Sequence, residues 1–485
     1  MKHTLLLGIF AACCSLTAAA QGGNVTDSLP AGARVAPWAS PAARLASDTL
    51  LSPPQSWSMT PVYPQTSPSE DLWWNQFDDT VLRQLISKAE NSNFNIRIAL
   101  RRMETARQQI QLSKAVYYPT VQAAAGYTVE RSADAVTSPA HNGTTLNYIN
   151  LGLSASWEID LFGRISEQLK ADKASLSLSR ADYDAAMIAL CSEVAKAYVN
   201  LRVLQAQLSL ARSHTESQQK IVDMTLARQE AGLASALEVA QARQVLYSTQ
   251  AGIPNLEADI ECAMGAIAVL TGEYPEDAKS LLSTPRPLPD MYVKPCVGTP
   301  LEMLRRRPDI AQAEAQMAVY AAQAGIAKKD YLPVLTLTGS VGVQAHKPDD
   351  LFSSKGFTYS VAPTLSWTIF DGMARKYRTS IAREQMELGI DSYNQTLLNA
   401  VQEVDNYAAD YDGYLRQISL LDRLVEESEK AYDLAVDLYR STLTPFSNVV
   451  DAQMNLLAYQ NDVIAAQGNA LSALISLYQA LGGGW

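Results

Sequence analysis

The residues able to do acid–base, nucleophilic or metal chemistry are few and poorly spaced for it. Beyond the first twenty residues the histidines are His141, His214 and His346, and none stands at a metal-ligand spacing from another. Cys191, Cys262 and Cys296 are an odd number of widely separated thiols, which suits neither a disulfide framework nor a zinc site. No Gly-x-Ser-x-Gly elbow, phosphate-cradling glycine loop or dinucleotide fingerprint occurs. Carboxylates are plentiful, 50 Asp and Glu against 39 Lys and Arg, but most fall on polar helix faces where solvation is the ordinary role. An enzyme is therefore the weakest reading, and no metal or cofactor is expected. The formal charge of −11 leaves no basic excess to neutralise phosphates, so a nucleic-acid partner is not expected either. Acidic side chains lining a passage would instead favour cations.

The N-terminus reads as an address. Lys2 and His3 precede an apolar run from Leu5 to Leu16 and the small residues Thr17-Ala18-Ala19-Ala20. This pattern fits an export signal over residues 1–20, leaving Gln21 first in the mature chain. The run is shorter than the about 20 residues that span a bilayer. A second reading takes Phe10-Ala11-Ala12-Cys13 as a loose lipobox, which would make Cys13 a lipid anchor. Residues 21–70 read as an extended N-terminal segment.

The remainder repeats its own plan. Ser156-Trp157 recurs as Ser366-Trp367, and the same spacing relates Val239 to Val449, Leu246 to Leu456, Gln250 to Gln460 and Gly272 to Gly482. Such an offset is far longer than a solenoid period and indicates an internal duplication. The repeats run over residues 71–273 and 301–485, joined by a proline-rich linker at 274–300. Each half predicts helix, strand, strand, long helix, helix.

The strands, expected at about 120–131, 145–158, 334–345 and 356–370, alternate strictly. Val121, Ala123, Ala125, Tyr127 and Val129 share one face, opposite Gln122, Ala124, Gly126, Thr128 and Glu130. A period of two with a Thr, Ser, Gln and Gly face belongs to a strand between two environments. A sheet on a soluble core is one such case. Lengths of about ten residues and the export signal favour a membrane barrel, with Trp157 and Trp367 suited to interfacial girdles. Four strands close no barrel and leave edges that lipid does not tolerate. The membrane reading therefore requires an oligomer.

The helical hairpins are expected at 164–271 and 372–482. No proline or glycine falls between Arg164 and Glu230, and from Ala374 to Thr444 only Gly389 and Gly413 interrupt. Met187, Cys191, Val194, Tyr198, Leu201 and Leu208 recur at steps of three and four, with Gln205 interrupting; Leu397, Val401, Val404, Ala408, Tyr411, Leu415 and Ile418 do likewise. Such heptads specify coiled-coil packing. Cys191 sits in that seam, so it reads as a buried structural thiol.

Three blocks carry a family resemblance: Ser156-Trp157-Glu158-Ile159-Asp160-Leu161-Phe162-Gly163-Arg164, Leu304-Arg305-Arg306-Arg307-Pro308-Asp309-Ile310 and Leu477-Tyr478-Gln479-Ala480-Leu481-Gly482-Gly483-Gly484-Trp485. Over about Trp73 to Trp485 the chain resembles the TolC family, most nearly its OprM/NodT-like branch. The resemblance implies a mainly α fold with a transmembrane β-barrel portion. In it, a homotrimer closes a twelve-stranded barrel in outer-membrane lipid, and antiparallel helical hairpins form an α-barrel tunnel in the periplasm. It further implies a passive exit duct docked on a periplasmic adaptor protein and an inner-membrane pump. A protein-secretion duct is the alternative within the same mechanical class, and a soluble coiled-coil protein is a third reading that leaves the strands unexplained.

The resemblance also locates the entrance. The hairpin tips far from the barrel fall on Ala231-Gly232-Leu233-Ala234-Ser235 and Ser441-Thr442-Leu443-Thr444-Pro445, the expected adaptor-docking residues. The acidic ring positions fall on Asn448 and Asp451, the tip tyrosine on Tyr439 and the linking arginine on Thr444, while Glu238 takes the acidic place in the first half. Copies of Glu238 and Asp451 are expected to crowd carboxylates at the constriction. Asn448 and Thr444 depart from the pattern and remove parts of its charge lock, and Thr442 replaces a tip glycine.

Overall fold

The computed structural model describes residues 50–51, 54, 72–131, 145–290, 292, 295, 300 and 306–483. Cys13, the cleavage site after Ala20 and Cys296 lie outside them. A 3-10 turn over Trp73–Phe77 leads to α1 (Thr80–Ser92) and α2 (Phe94–Ala115). Then come β1 (Thr120–Arg131), β2 (Thr145–Ile159), α3 (Arg164–Glu230), α4 (Ala236–Thr271) and the short α5 (Pro275–Leu282). The second half gives α6 (Pro308–Lys329), β3 (Val334–Ala345), β4 (Phe357–Ser366), α7 (Ala374–Arg440) and α8 (Phe446–Ala480). Helices α3 and α7 have 67 residues each, about 100 Å at 1.5 Å per residue.

The sheet is inside-out relative to a soluble one. Its strands pair antiparallel in the order β1-β2-β3-β4, so the β2–β3 ladder joins the two halves of the chain. Register aligns Ala123, Leu153, Val341 and Tyr359 in one row of the apolar face, and Gln122, Ser154, Ser340 and Ser360 in one row of the polar face. The apolar face is exposed, Val361 by 72% and Tyr359 by 70%. Helices pack extensively only on helices, and strands only on strands. The hydroxyl-bearing face is the concave one, its hollow lined by Thr120, Gln122, Ser154, Ser156, Thr338 and Ser340. On this face Gly152 and Gly342 stand opposite each other across the β2–β3 ladder. A Cβ on Gly342 would stand 2.6 Å from the Leu151 carbonyl oxygen and 2.8 Å from Gly152 Cα.

β4 stops at Ser366 rather than near 370. Its partner β3 begins at Val334, directly after Pro333, so residues beyond Ser366 face no ladder strand. Trp367 then leaves the sheet, and its indole Nε1 donates to the Tyr331 carbonyl at 3.0 Å. Trp157 donates to the Tyr117 carbonyl at the same 3.0 Å. The duplication thus preserves an indole tie between each strand pair and the helix preceding it.

The heptad positions form the helical core. Val194, Tyr198, Leu201, Tyr411 and Ile418 are buried together with Trp73, Phe77, Leu82 and Leu471. Gln205, which interrupts the pattern, is buried for a reason. Its Nε2 donates to the Leu282 carbonyl at 2.9 Å, and Arg202 Nη1 donates to Gln205 Oε1 at 2.5 Å and to the Thr284 carbonyl at 2.9 Å. These bonds fasten α5, so the segment read as a linker carries a docked helix.

Candidate functional site: the hairpin tips

Two sharp reversals end the long helices. After α3 the Gly232 amide donates to the Gln229 carbonyl at 2.9 Å and the Leu233 amide to the Arg228 carbonyl at 2.8 Å, with Gly232 at φ 72°. This Schellman-type closure satisfies carbonyls that a helix end leaves free. Ser235 then caps α4 in a capping box with Glu238, their reciprocal backbone bonds being 3.3 and 3.2 Å. After α7 the same closure recurs, from Thr442 to the Tyr439 carbonyl at 3.0 Å and from Leu443 to the Leu438 carbonyl at 2.9 Å. Here the left-handed position is held by Thr442 at φ 62°, a costly conformation for a β-branched residue. Replacing the tip glycine has therefore kept the turn and added strain. Leu233 and Leu443 project from the two tips, 62% and 75% exposed.

Below the tips the two hairpins are latched together. The buried Tyr439 hydroxyl on α7 donates to Glu238 Oε2 on α4 at 2.5 Å. That bond, reinforced by Ser235 and by the Arg228 charge, holds the Glu238 carboxyl below its ordinary value. Burial, together with the same carboxylate, pushes the Tyr439 phenol up to about 12. Phe446 packs on the Tyr439 ring with centroids 5.1 Å apart, above a small core of Ile221, Val222, Leu246, Val436 and Val449. Arg228 also packs on the latch, its guanidinium carbon 4.8 Å from the Tyr439 ring centroid.

The candidate entrance residues fall into three groups. Glu238 and Tyr439 are brought into direct contact. Asn448 and Thr444 make a separate local bond, with Asn448 Nδ2 donating to Thr444 Oγ1 at 2.7 Å. Asp451 is exposed on α8 and pairs with no described residue. Within one chain Tyr439 and Ser235 engage the Glu238 carboxylate, and the expected crowding of Glu238 with Asp451 concerns several copies of the chain around the constriction. Arg228 and Phe446 complete the latch and were not among the candidates. A basic residue in the last turn of α3, where the helix dipole favours a cation, was the signal available for Arg228. Among the described residues no group of His, Cys, Asp or Glu is placed to hold a metal ion, and no helix is long and apolar enough to cross a membrane.

The sequence blocks also acquire structural reasons. Asp160 accepts the Ile165 and Ser166 amides at 3.0 and 2.9 Å, starting α3, while Arg164 pairs with Glu158 at 2.7 Å. Arg307, buried, donates to the Ala480 carbonyl at the end of α8 and to Glu403 of α7, each at 2.7 Å, and also pairs with Asp309.

Comparison with known proteins agrees with this architecture. Residues 85–273 and 299–483 match the family model described as outer membrane efflux protein, one segment in each repeat. The chain is 28% identical over 444 residues to the pyoverdine export outer membrane protein OpmQ of Pseudomonas aeruginosa, covering 90% of this chain and 92% of the relative. It superposes on the outer-membrane channel OprN with a TM-score of 0.83 at 31% identity, covering 89% of this chain and 97% of that one. It also superposes on the open state of the MtrE outer membrane channel of Neisseria gonorrhoeae, with a TM-score of 0.75 at 26% identity over 90% of this chain and 98% of that one. The inside-out sheet and the paired 67-residue helices are thus the protomer of a channel-tunnel, and the chain belongs to the outer membrane efflux protein family.

Proposed function

We propose that three copies of this chain close a twelve-stranded barrel in the outer membrane, continued by a helical tunnel through the periplasm. The duct gives passive exit to the substrates of a tripartite efflux pump. The observation that carries this reading is the sheet. An apolar convex face, a hydroxyl-lined concave face and two open edges make sense only when neighbouring copies pair with β1 and β4 and lipid surrounds the ring. Outer-membrane fractions should yield heat-resistant trimers in detergent that conduct ions in planar bilayers. A soluble periplasmic monomer would sink the reading.

The tips are proposed as the docking surface for a periplasmic adaptor coupled to an inner-membrane pump, with Leu233 and Leu443 as apolar anchors. Gly232, Ala234, Ser235, Thr442, Thr444 and Pro445 shape the turns that present them. Charging both leucines (Leu233→Glu with Leu443→Glu) should abolish co-purification with the adaptor while leaving trimers intact. At the constriction Asp451 is the free carboxylate and Glu238 a structural one. Asp451→Asn alone should therefore weaken cation preference, and unchanged selectivity would remove Asp451 from the lining.

A further inference from the structure

We propose that Arg228 is the bolt of the entrance, a cation that closes the two hairpins of one protomer on each other from within the same chain. That role presupposes the duct reading above and assigns its closed state to a residue outside the expected lock.

The placement of Arg228 is unusual for a surface arginine. It sits in the last turn of α3, and its Nη1 crosses to donate to the Arg440 carbonyl at 2.8 Å. Arg440 is the last residue of α7, so that oxygen is one of the carbonyls a helix end leaves without an intrahelical partner. Two 67-residue helices end side by side here, and both present the negative ends of their dipoles. One guanidinium serves both ends. Its guanidinium carbon lies over the Tyr439 ring, 4.8 Å from the centroid, a cation–π contact. Its charge also acts on the Glu238 carboxylate that Tyr439 holds. Arg228 Nε is buried and has no hydrogen-bond partner among the described residues, so the side chain accepts a desolvation cost to keep this pose.

The duplication shows that this is not a generic feature of the hairpin. The spacing that maps Gly232 onto Thr442 maps Arg228 onto Leu438, which is 44% exposed and offers no cation. Thr444, where the family resemblance places a linking arginine, instead bonds to Asn448. The bolt therefore runs in one direction only, from the first hairpin onto the second. Both hairpins of a protomer are tied as one unit, and the movement that widens the entrance must break the contacts of Arg228 or pass between protomers.

Single-channel recording of purified trimers in planar bilayers tests this with Arg228→Gln and Arg228→Lys. Loss of one charge-assisted hydrogen bond per protomer should raise the open fraction by about tenfold in Arg228→Gln. Arg228→Lys should recover part of the closure, because an ammonium keeps the charge but cannot stack flat and reach the Arg440 carbonyl together. Detergent-resistant trimer should persist at wild-type temperatures in both. A conducting Arg228→Gln channel no more open than wild type would overturn the bolt and leave the duct standing. So would equal opening in both variants accompanied by a lower trimer melting temperature, since that marks a merely structural residue. If Arg228→Gln trimers do not assemble, Arg228→Lys compared with Tyr439→Phe decides, and wild-type closure in both overturns the assignment. Absence of conductance in the wild-type protein refutes the duct and the bolt together.

Discussion

Alanine at Gly342 should break the barrel wall, whereas alanine at Gly339, three residues earlier in the same strand, should be tolerated. The difference follows from which face each position occupies. A Cβ on Gly339 would meet only the Ser360 carbonyl oxygen at 3.7 Å, an ordinary contact. On Gly342 it would meet the Leu151 carbonyl oxygen at 2.6 Å and Gly152 Cα at 2.8 Å. Both obstacles are backbone, so no rotamer change relieves them. Restoring van der Waals distance requires β2 and β3 to separate by most of an ångström, which weakens the flanking ladder bonds. Overpacking of this kind costs about 1 to 3 kcal/mol per copy, and lipid offers no water to satisfy the loosened amides. Because β2–β3 is the ladder joining the two halves, the strain falls on the one seam that makes the sheet continuous within a chain. The assay is the temperature at which detergent-solubilised trimer dissociates on a gel, read for Gly342→Ala, Gly339→Ala and wild type. Gly342→Ala should dissociate well below the other two and insert poorly into membranes. Equal midpoints for all three would refute the claim that concave-face crowding fixes Gly342.

Four further outcomes are expected. Thr442→Gly should relieve about 1 kcal/mol of left-handed strain, slowing proteolytic nicking at residues 441–445 roughly fivefold; unchanged or faster nicking would contradict the strain. Arg307→Ala should lower the thermal midpoint by removing about 2 kcal/mol, a value kept modest because Asp309 and Glu403 are 37% and 47% exposed. Arg307→Lys should not restore it, since three partners are reached by one fork. Mass-mapped maleimide labelling of the native trimer should find Cys262, which is exposed, modified and Cys191 protected, because burial pushes the Cys191 thiol up to about 12; comparable rates would show that the seam around Cys191 opens. The latch sets a pH window. A depressed Glu238 contributes closure that is complete above the ordinary 4.5 and lost as pH falls through its lowered value, while the raised Tyr439 contributes closure complete below 10.0 and lost as pH rises through about 12. Conductance should be flat between those limits and rise on strong acidification, and Tyr439→Phe should abolish that acid response.

Much of this molecule is determined locally and was legible in the chain. Strict alternation from Val121 to Val129 fixes which residues share a face, because a strand places successive side chains on opposite sides whatever surrounds it. The heptads of α3 and α7 name the buried seam for a similar reason: Val194, Tyr198, Val404 and Tyr411 are buried as their spacing requires. The 210-residue repeat, read from pairs such as Trp157 and Trp367, carries over to matching indole bonds at 3.0 Å. What the tertiary structure alone decided are the contacts between segments distant in sequence. The close approach of Gly342 to Gly152 is a contact between the two halves, which neither strand alone reveals. Gln205 looked like a fault in a heptad until Arg202 and the α5 carbonyls were seen around it. Glu238 and Asp451 read alike as helix-end acids, yet only Glu238 meets a tyrosine, one 201 residues away. Arg228 meets the Arg440 carbonyl and the Tyr439 ring only because α3 and α7 end side by side. Periodicity records the environment of one element, whereas a latch exists only where two elements are held within hydrogen-bond reach.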